Sequence, residues 1–329
     1  MKSLDHYWYG HNIVSLLLLP LSWLFMALVS LRRGAYRFGL LSRARLPVPV
    51  IIVGNISVGG TGKTPLTVWL VECLRRHGLN PGIVSRGYKG KAREWPQRVY
   101  ADSDPLLVGD EAVLLARRCN CPVIVDPKRI RAARFLLEQA DCDIVIADDG
   151  LQHYQLARDI EIAVVDGKRR FGNGRCLPAG PLREPVGRLR EVDFIVINNG
   201  PTQNHEFGMQ MQPGPIRRLT APTEIVDAAT LASGPVHAVA GIGHPQRFFD
   251  QLSAMGFDII PHPFPDHFDY RQADIRFADD YPVIMTEKDA VKCRRFADQR
   301  HWFLPITAAI DPRLETGLMA QIDRLVQSG

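Results

Sequence analysis

From residue 48 onward, short apolar runs alternate with stretches whose apolar residues recur at helical spacing. That alternation is the pattern of βαβ units feeding a parallel sheet. It predicts strands at 48–53, 81–85, 122–125, 143–147, 160–165 and 194–197, with helices at 63–77, 110–119 and 128–140. Together they make one doubly wound, mainly parallel α/β unit over 46–200, with its ligand site at the carboxyl ends of the strands. Between 201 and 221 the chain turns polar and rich in Pro and Gly, with MQMQPGP in the middle. This stretch is read as a linker carrying a short strand and turn. A second, smaller α/β unit follows over 222–329, with strands at 236–240, 257–261, 283–286 and 302–306 and helices at 245–255 and 312–327.

The front of the chain departs from this rhythm. Residues 13–31 are 19 positions without a charge. As a helix they rise about 28 Å against a hydrocarbon core of about 30 Å, just enough to span. Pro20 and the serines equally permit a kinked helix lying in the interface. Tyr7, Trp8 and Tyr9 precede the run, and Arg32, Arg33, Arg37, Arg43 and Arg45 follow it. These read as an interfacial aromatic belt and a cytoplasmic basic flank. Residues 1–45 are therefore expected to form a membrane-associated segment with a hydrophobic helix. The rivals are a buried core helix and a cleaved signal, the latter opposed by the length of the run, the following arginines and the lack of a small-residue cleavage site.

An apolar content of 46% with mixed charge describes a folded protein. The net charge of +5 is unevenly spread: residues 1–101 carry 14 Lys/Arg against 3 Asp/Glu. A basic front end calls for an anionic partner, and its position after the apolar run favours an anionic membrane surface. Nucleic acid is discounted, because the excess lacks the aromatic interleaving of single-strand binders. The six cysteines form no C-x-x-C pair and are read as reduced thiols.

The candidate chemistry begins at GNISVGGTGKTP, residues 54–65, set between the apolar run VPVIIV and an amphipathic helix. Glycines let backbone amides converge on a polyphosphate, and the following helix N-terminus adds donors and partial positive charge. Gly59, Gly60, Thr61, Gly62, Lys63 and Thr64 are thus expected to bind ATP, with Lys63 at the β and γ phosphates and Thr64 on Mg²⁺. Ser57 stands where the G-x-x-x-x-G-K-[ST] pattern has its first glycine. DIVIADDGLQH, residues 143–153, supplies a strand ending in Asp148 and Asp149, the acidic element that a phosphate loop requires for its metal. A guanine-reading [NT]-K-x-D is absent, since TEKD at 286–289 has its Lys and Asp adjacent. TEKD is open to two readings, a nucleotide-edge contact or a capped helix start.

SVGGTGKTP (57–65), SRGYKG (85–90), VGDEA (108–112), DDGLQH (148–153), LPAGPLREP (177–185), FPDHFDY (264–270) and TEKDAVK (286–292) follow in this order after a hydrophobic N-terminus. The combination closely resembles the tetraacyldisaccharide 4'-kinase family over nearly the whole chain. The resemblance implies ATP- and Mg²⁺-dependent phosphorylation of the 4'-hydroxyl of an acylated glucosamine disaccharide 1-phosphate, in lipid A synthesis at the cytoplasmic face of the inner membrane. It further implies that Asp110 is a catalytic residue paired with His267. By the same resemblance Glu184 lies near the metal, and Gln152 and His153 extend the acidic strand toward substrate. An Asp can accept the proton of an acceptor hydroxyl. Arg86, Tyr88 and Lys89 of SRGYKG are read as acceptor-binding, since Arg suits phosphate recognition. Two other classes stay open, a membrane-associated ATPase switch and a nucleotide-binding scaffold without turnover.

Overall fold

The computed structural model describes residues 5–10, 12–232 and 234–327. In chain order its strands are β1 (Val50–Gly54), β2 (Pro81–Ser85), β3 (Gln97–Val99), β4 (Val123–Val125), β5 (Ile144–Asp148), β6 (Ile160–Asp166), β7 (Phe194–Asn198) and β8 (Glu206–Pro213). Then come β9 (Ile216–Arg218), β10 (Ile225–Val226), β11 (Val236–Ala240), β12 (Ile259–Pro263), β13 (Val283–Thr286), β14 (His301–Leu304) and β15 (Ile306–Ile310). Among the described residues they form two sheets, ordered β15-β8-β7-β6-β1-β5-β2-β4-β3 and β10-β9-β14-β13-β11-β12.

Strand β1 lies centrally in the larger sheet, parallel to β5 and β6. Its VIIVG residues are buried throughout, as expected for a strand covered on both faces. Helix Lys63–Arg76 buries Leu66, Leu70 and Leu74 on one face of the sheet. Helix Arg129–Gln139 buries Ala132, Ala133 and Leu136 on the other. The parallel crossovers bring the loops after β1, β2 and β5 to one edge, where ligands of doubly wound sheets bind.

Residues 201–221, expected as a linker with a short strand and turn, contain the strand as β8 and a further strand, β9, one in each sheet. The MQMQ alternation is the cause: Met209 is buried while Gln210 and Gln212 face solvent, the period of a half-covered strand. The strand expected at 302–306 is likewise two strands. Pro305, which lacks a donor, separates β14 from β15, and β15 returns to pair antiparallel with β8 in the larger sheet. The predicted strand at 257–261 lies two residues later, at β12.

The hydrophobic front run forms two helices, Ile13–Leu17 and Leu19–Arg37, with Pro20 in the first turn of the second. No helix among the described residues is long and apolar enough to cross a membrane. Their orientation is the reverse of a core helix. Ser15 and Ser22 are buried, giving their hydroxyl hydrogens to the carbonyls of Ala179 and Cys176. Leu17, Leu21, Leu24, Leu28 and Leu31 point outward, each more than half exposed. Trp8, expected in an aromatic belt, is instead buried and donates its indole N–H to Pro178 O at 3.0 Å. All six cysteines are free thiols.

Candidate active site

The glycine-rich loop is pinned at its base by the 177–185 segment. Val58 N donates to Pro181 O at 2.8 Å and Arg183 N to Ile56 O at 2.7 Å. Ser57, in place of the usual glycine, joins this anchorage through a bridge to Leu182. Gly62 caps helix Lys63–Arg76 at φ +96°, a conformation open to glycine at little cost. A Cβ there would also lie 2.6 Å from Asn198 Nδ2, which donates to Thr61 O, and 2.5 Å from Met211 Cε. Strands β7 and β8 therefore support the loop from behind.

Lys63 Nζ donates to Asn55 Oδ1 at 3.3 Å and pairs with Asp149 Oδ1 at 3.4 Å. Asp149 sits just past β5 at φ +50°, and Arg183 Nη1 reaches both its oxygens at 3.2 Å. Burial alone would raise the Asp149 pKa, but Lys63, Arg183 and Arg129 outweigh it and hold the carboxyl at about 2. Asp148 is the opposite case. Its burial, reinforced by the charges of Glu111 and Asp149, raises its pKa to about 7. Its Oδ2 accepts only a long 3.5 Å bond from Ser85 Oγ, and its Oδ1 has no partner. An unpartnered buried carboxylate oxygen beside a second acid is a fit for a hard divalent cation. Thr61 Oγ1, also buried without a partner, and half-buried Thr64 complete a cradle suited to Mg²⁺ and polyphosphate.

Asp110 opens helix Asp110–Cys119 directly after Gly109. Gly109 has φ +94°, and a Cβ on it would lie 2.9 Å from Tyr88 O, so glycine lets the 85–90 loop close over the helix start. From the loop after β12, His267 Nδ1 approaches Asp110 Oδ2 at 2.9 Å and Oδ1 at 3.1 Å. The Asp110 pKa is lowered: burial opposes ionisation, but the His267 hydrogen bond and the charges of Lys288 and Lys292 prevail. Tyr88 meets the His267 ring edge-on, with centroids 5.3 Å apart. Lys89 Nζ donates to Asp266 O at 3.5 Å. Lys288 Nζ lies 3.3 Å from His267 Nε2, 3.0 Å from Glu111 Oε1 and 3.2 Å from Asp266 Oδ1.

The structure thus brings together two groups far apart in sequence, Lys63–Asp149–Asp148 and Asp110–His267, linked through the charge of Glu111 on Asp148. The remaining predicted residues surround them. Glu184 is fully buried and accepts from Gln152 Nε2 at 2.8 Å and from the Tyr154 hydroxyl. Both oxygens are therefore engaged, and metal ligation by Glu184 would require releasing one of these bonds. Gln152 also donates to Asn55 O at 3.0 Å, tying Glu184 to the Lys63 partner. Burial, then the charges of Arg129, Arg158, Arg32 and Arg86, push the His153 pKa down to about 4, leaving its ring neutral at neutral pH. Arg86 is exposed at the end of β2.

Sequence reasoning did not single out Asn55, Glu111, Arg183 or Lys288. Three of them adjoin residues that it did name, in GDE, REP and TEKD. TEKD proves to be a capped helix start: Thr286 Oγ1 accepts from Asp289 N at 3.1 Å. Its Lys288 nonetheless turns toward His267.

The family model described as tetraacyldisaccharide-1-P 4'-kinase matches residues 14–323. Two similar proteins, each called tetraacyldisaccharide 4'-kinase, come from Nitrosococcus oceani and Methylobacillus flagellatus. The first is 52% identical over 321 residues, covering 98% of this chain and 93% of the relative. The second is 53% identical over 327 residues, covering 99% and 97%. A crystal structure described as the "apo" form of LpxK from Aquifex aeolicus in complex with ATP has a TM-score of 0.82 and 28% identity, covering 94% of this chain and 100% of that one. The chain belongs to the tetraacyldisaccharide-1-P 4'-kinase family.

Proposed function

We propose that this protein uses ATP to phosphorylate the 4'-hydroxyl of a tetraacylated glucosamine disaccharide 1-phosphate in lipid A biosynthesis. The observation that carries the reading is the Asp110–His267 pair, built across two sheets beside a phosphate loop. A pure ATPase switch needs the loop and acidic strand end but has no use for a carboxylate beside them that a histidine of the second unit holds in place. ATP with its Mg²⁺ supplies the γ-phosphoryl group and neutralises its charge. Residues 59–64 hold the phosphates, with the Lys63 ammonium on the transferring group. Thr64, Asp148 and Asp149 hold the metal. Asp110 accepts the 4'-hydroxyl proton at its carboxylate while His267 Nδ1 keeps that carboxylate aimed. A lowered pKa makes Asp110 a weak base, which suits a loose transition state in which positioning outweighs base strength.

Tyr88 and the basic side chains Arg86 and Lys89 meet the lipid's sugar and phosphate. The outward leucines of helix Leu19–Arg37 lie in the bilayer interface, with the arginines that follow on an anionic surface at the cytoplasmic face of the inner membrane. Supporting this, the buried serines tie the same helices to the 173–182 segment that anchors the phosphate loop. The test is thin-layer separation of products after incubation with γ-labelled ATP and the acylated disaccharide phosphate. Label in a lipid bearing a new 4'-phosphate is expected. Release of inorganic phosphate alone, without dependence on lipid, would identify a switch.

A further inference from the structure

We infer that Lys288 is a positioning residue for phosphoryl transfer: by donating to His267 Nε2 from helix Glu287–Cys293, it reinforces the Nδ1–H tautomer that the Asp110 carboxylate also requires and closes Nε2 to the substrate proton, which makes Asp110, not His267, the proton acceptor. This rests on the reading of Asp110 as the base. An ammonium has only hydrogens to offer, so at 3.3 Å from Lys288 Nζ the Nε2 atom must be the acceptor. A neutral imidazole has one acceptor nitrogen, which leaves the hydrogen on Nδ1, 2.9 Å from Asp110 Oδ2. With Nε2 occupied by a cationic donor, the ring cannot take the substrate proton there. The proton of the sugar hydroxyl passes to Asp110 as the new phosphorus–oxygen bond forms and the bond to the departing diphosphate breaks. The carboxylic acid then returns that proton to solvent.

Lys288 is built for this place. Burial alone would favour its neutral form, but Glu111, Asp110 and Asp266 overcome that and push its pKa above the ordinary lysine value. Glu111 and Asp266 fix the ammonium from two sides at 3.0 and 3.2 Å. Behind it, the capping of helix Glu287–Cys293 sets its direction: Asp289 accepts from Gly241 N and Thr286 Oγ1 and pairs with Lys292 at 2.8 Å. The charged and titratable groups around His267 are Asp110 and Glu111 from one helix, Asp266 from its own loop, Lys288 and Lys292 from another helix, and Tyr88 with Lys89 from the loop after β2. No other cation is within hydrogen-bonding distance of Nε2 among the described residues.

The test joins spectroscopy with kinetics on the full-length enzyme. In ¹⁵N-histidine-labelled protein, with the His267 signals identified by their loss in His267→Gln, Nδ1 should be protonated and Nε2 unprotonated at neutral pH. Protonated Nε2 in the wild type overturns the inference without any variant needing to fold. Lys288→Met should weaken that tautomer preference, which the Asp110 carboxylate then sustains alone, and lower kcat about 100-fold, the lower end of what a positioned general base contributes. KM for ATP should stay within about twofold, since Lys288 lies outside the phosphate cradle. The acid limb of the kcat profile should move to higher pH, because the Lys288 charge that helps to hold the Asp110 pKa down is gone. Lys288→Arg should restore the tautomer and part of kcat. Unchanged kcat and tautomer in Lys288→Met would overturn the inference, whereas full activity in Asp110→Asn would instead remove the base reading on which it rests.

Discussion

The proposed nucleotide side and the proposed acceptor side of this site are assembled in opposite ways. The phosphate loop takes its donors from adjacent residues between one strand and one helix, with Lys63 and Asn55 only 8 positions apart. The acceptor side joins Asp110 to a histidine 157 positions away, which in turn meets a lysine 21 positions further on. A local site inherits its geometry from the backbone of one turn. A composite site inherits it from how two sheets are held together, here by the strands β8 and β15 and by side-chain pairs such as Arg118–Glu287 at 2.8 Å. The first is therefore expected to fail by loss of charge, the second by loss of alignment.

Substitution on the nucleotide side should have the largest effect. Lys63→Ala should lower kcat on the order of 10³-fold or more while the protein stays folded, since the ammonium acts on charge that develops during transfer. Activity within tenfold of wild type in a folded variant would remove the loop from the mechanism.

On the acceptor side the signature is non-additivity. Asp110→Ala and His267→Ala should each reduce kcat by about 10²- to 10³-fold, with the double variant little worse than the poorer single one. ATP affinity measured without lipid should barely change. Additive losses in log kcat would mean that the two residues act independently, and the contrast between a local and a composite site would lose its second half.

The joint between the sheets offers a smaller effect. Asp166, at the end of β6, accepts from Arg247 Nη1 of the second unit at 2.8 Å and from Arg169 Nε at 3.2 Å. Arg169 also donates to Gly60 O at 2.7 Å, so this joint touches the phosphate loop. Burial favours the neutral acid, but the arginines and the Arg169 amide hold the Asp166 pKa at about 2. A depressed carboxyl pKa adds stability that is complete above the unfolded value of about 3.9 and disappears as pH falls through the folded one. Asp166→Asn should thus cost on the order of 2 kcal/mol at pH 7. The difference in Tm from wild type should shrink between about pH 4 and pH 2. A difference that persists undiminished at pH 2 would show that the pair is not its source.

The smallest effect is expected on the reaction itself from Leu24→Asp combined with Leu28→Asp, which leaves the buried serines in place, measured with a short-chain soluble acceptor. Binding to anionic vesicles should weaken but persist at low salt, because each retained Lys/Arg near the surface contributes about 1 kcal/mol. Vesicle binding equal to wild type in high salt would mean that the outward leucines are not the anchor.

Periodicity and local chemistry determined much of this molecule from sequence alone. The parallel strands, the glycine loop with Lys63 and the acidic end at Asp148 and Asp149 were legible because each depends on neighbours within a few residues. The same holds for the apolar front run, whose break at Leu18 follows from Pro20. The pairing of Asp110 with His267 was available only through resemblance, since nothing in the spacing of two residues so far apart implies contact. What the tertiary structure alone decided was direction. It turned Ser15 and Ser22 inward and the leucines outward, set 206–213 between β7 and β15, occupied both oxygens of Glu184 and brought Lys288 to His267. Side-chain identity fixes what a group can donate or accept. Which partner it finds across the molecule depends on strand order and sheet-to-sheet packing, energies summed over many residues and encoded in no single motif.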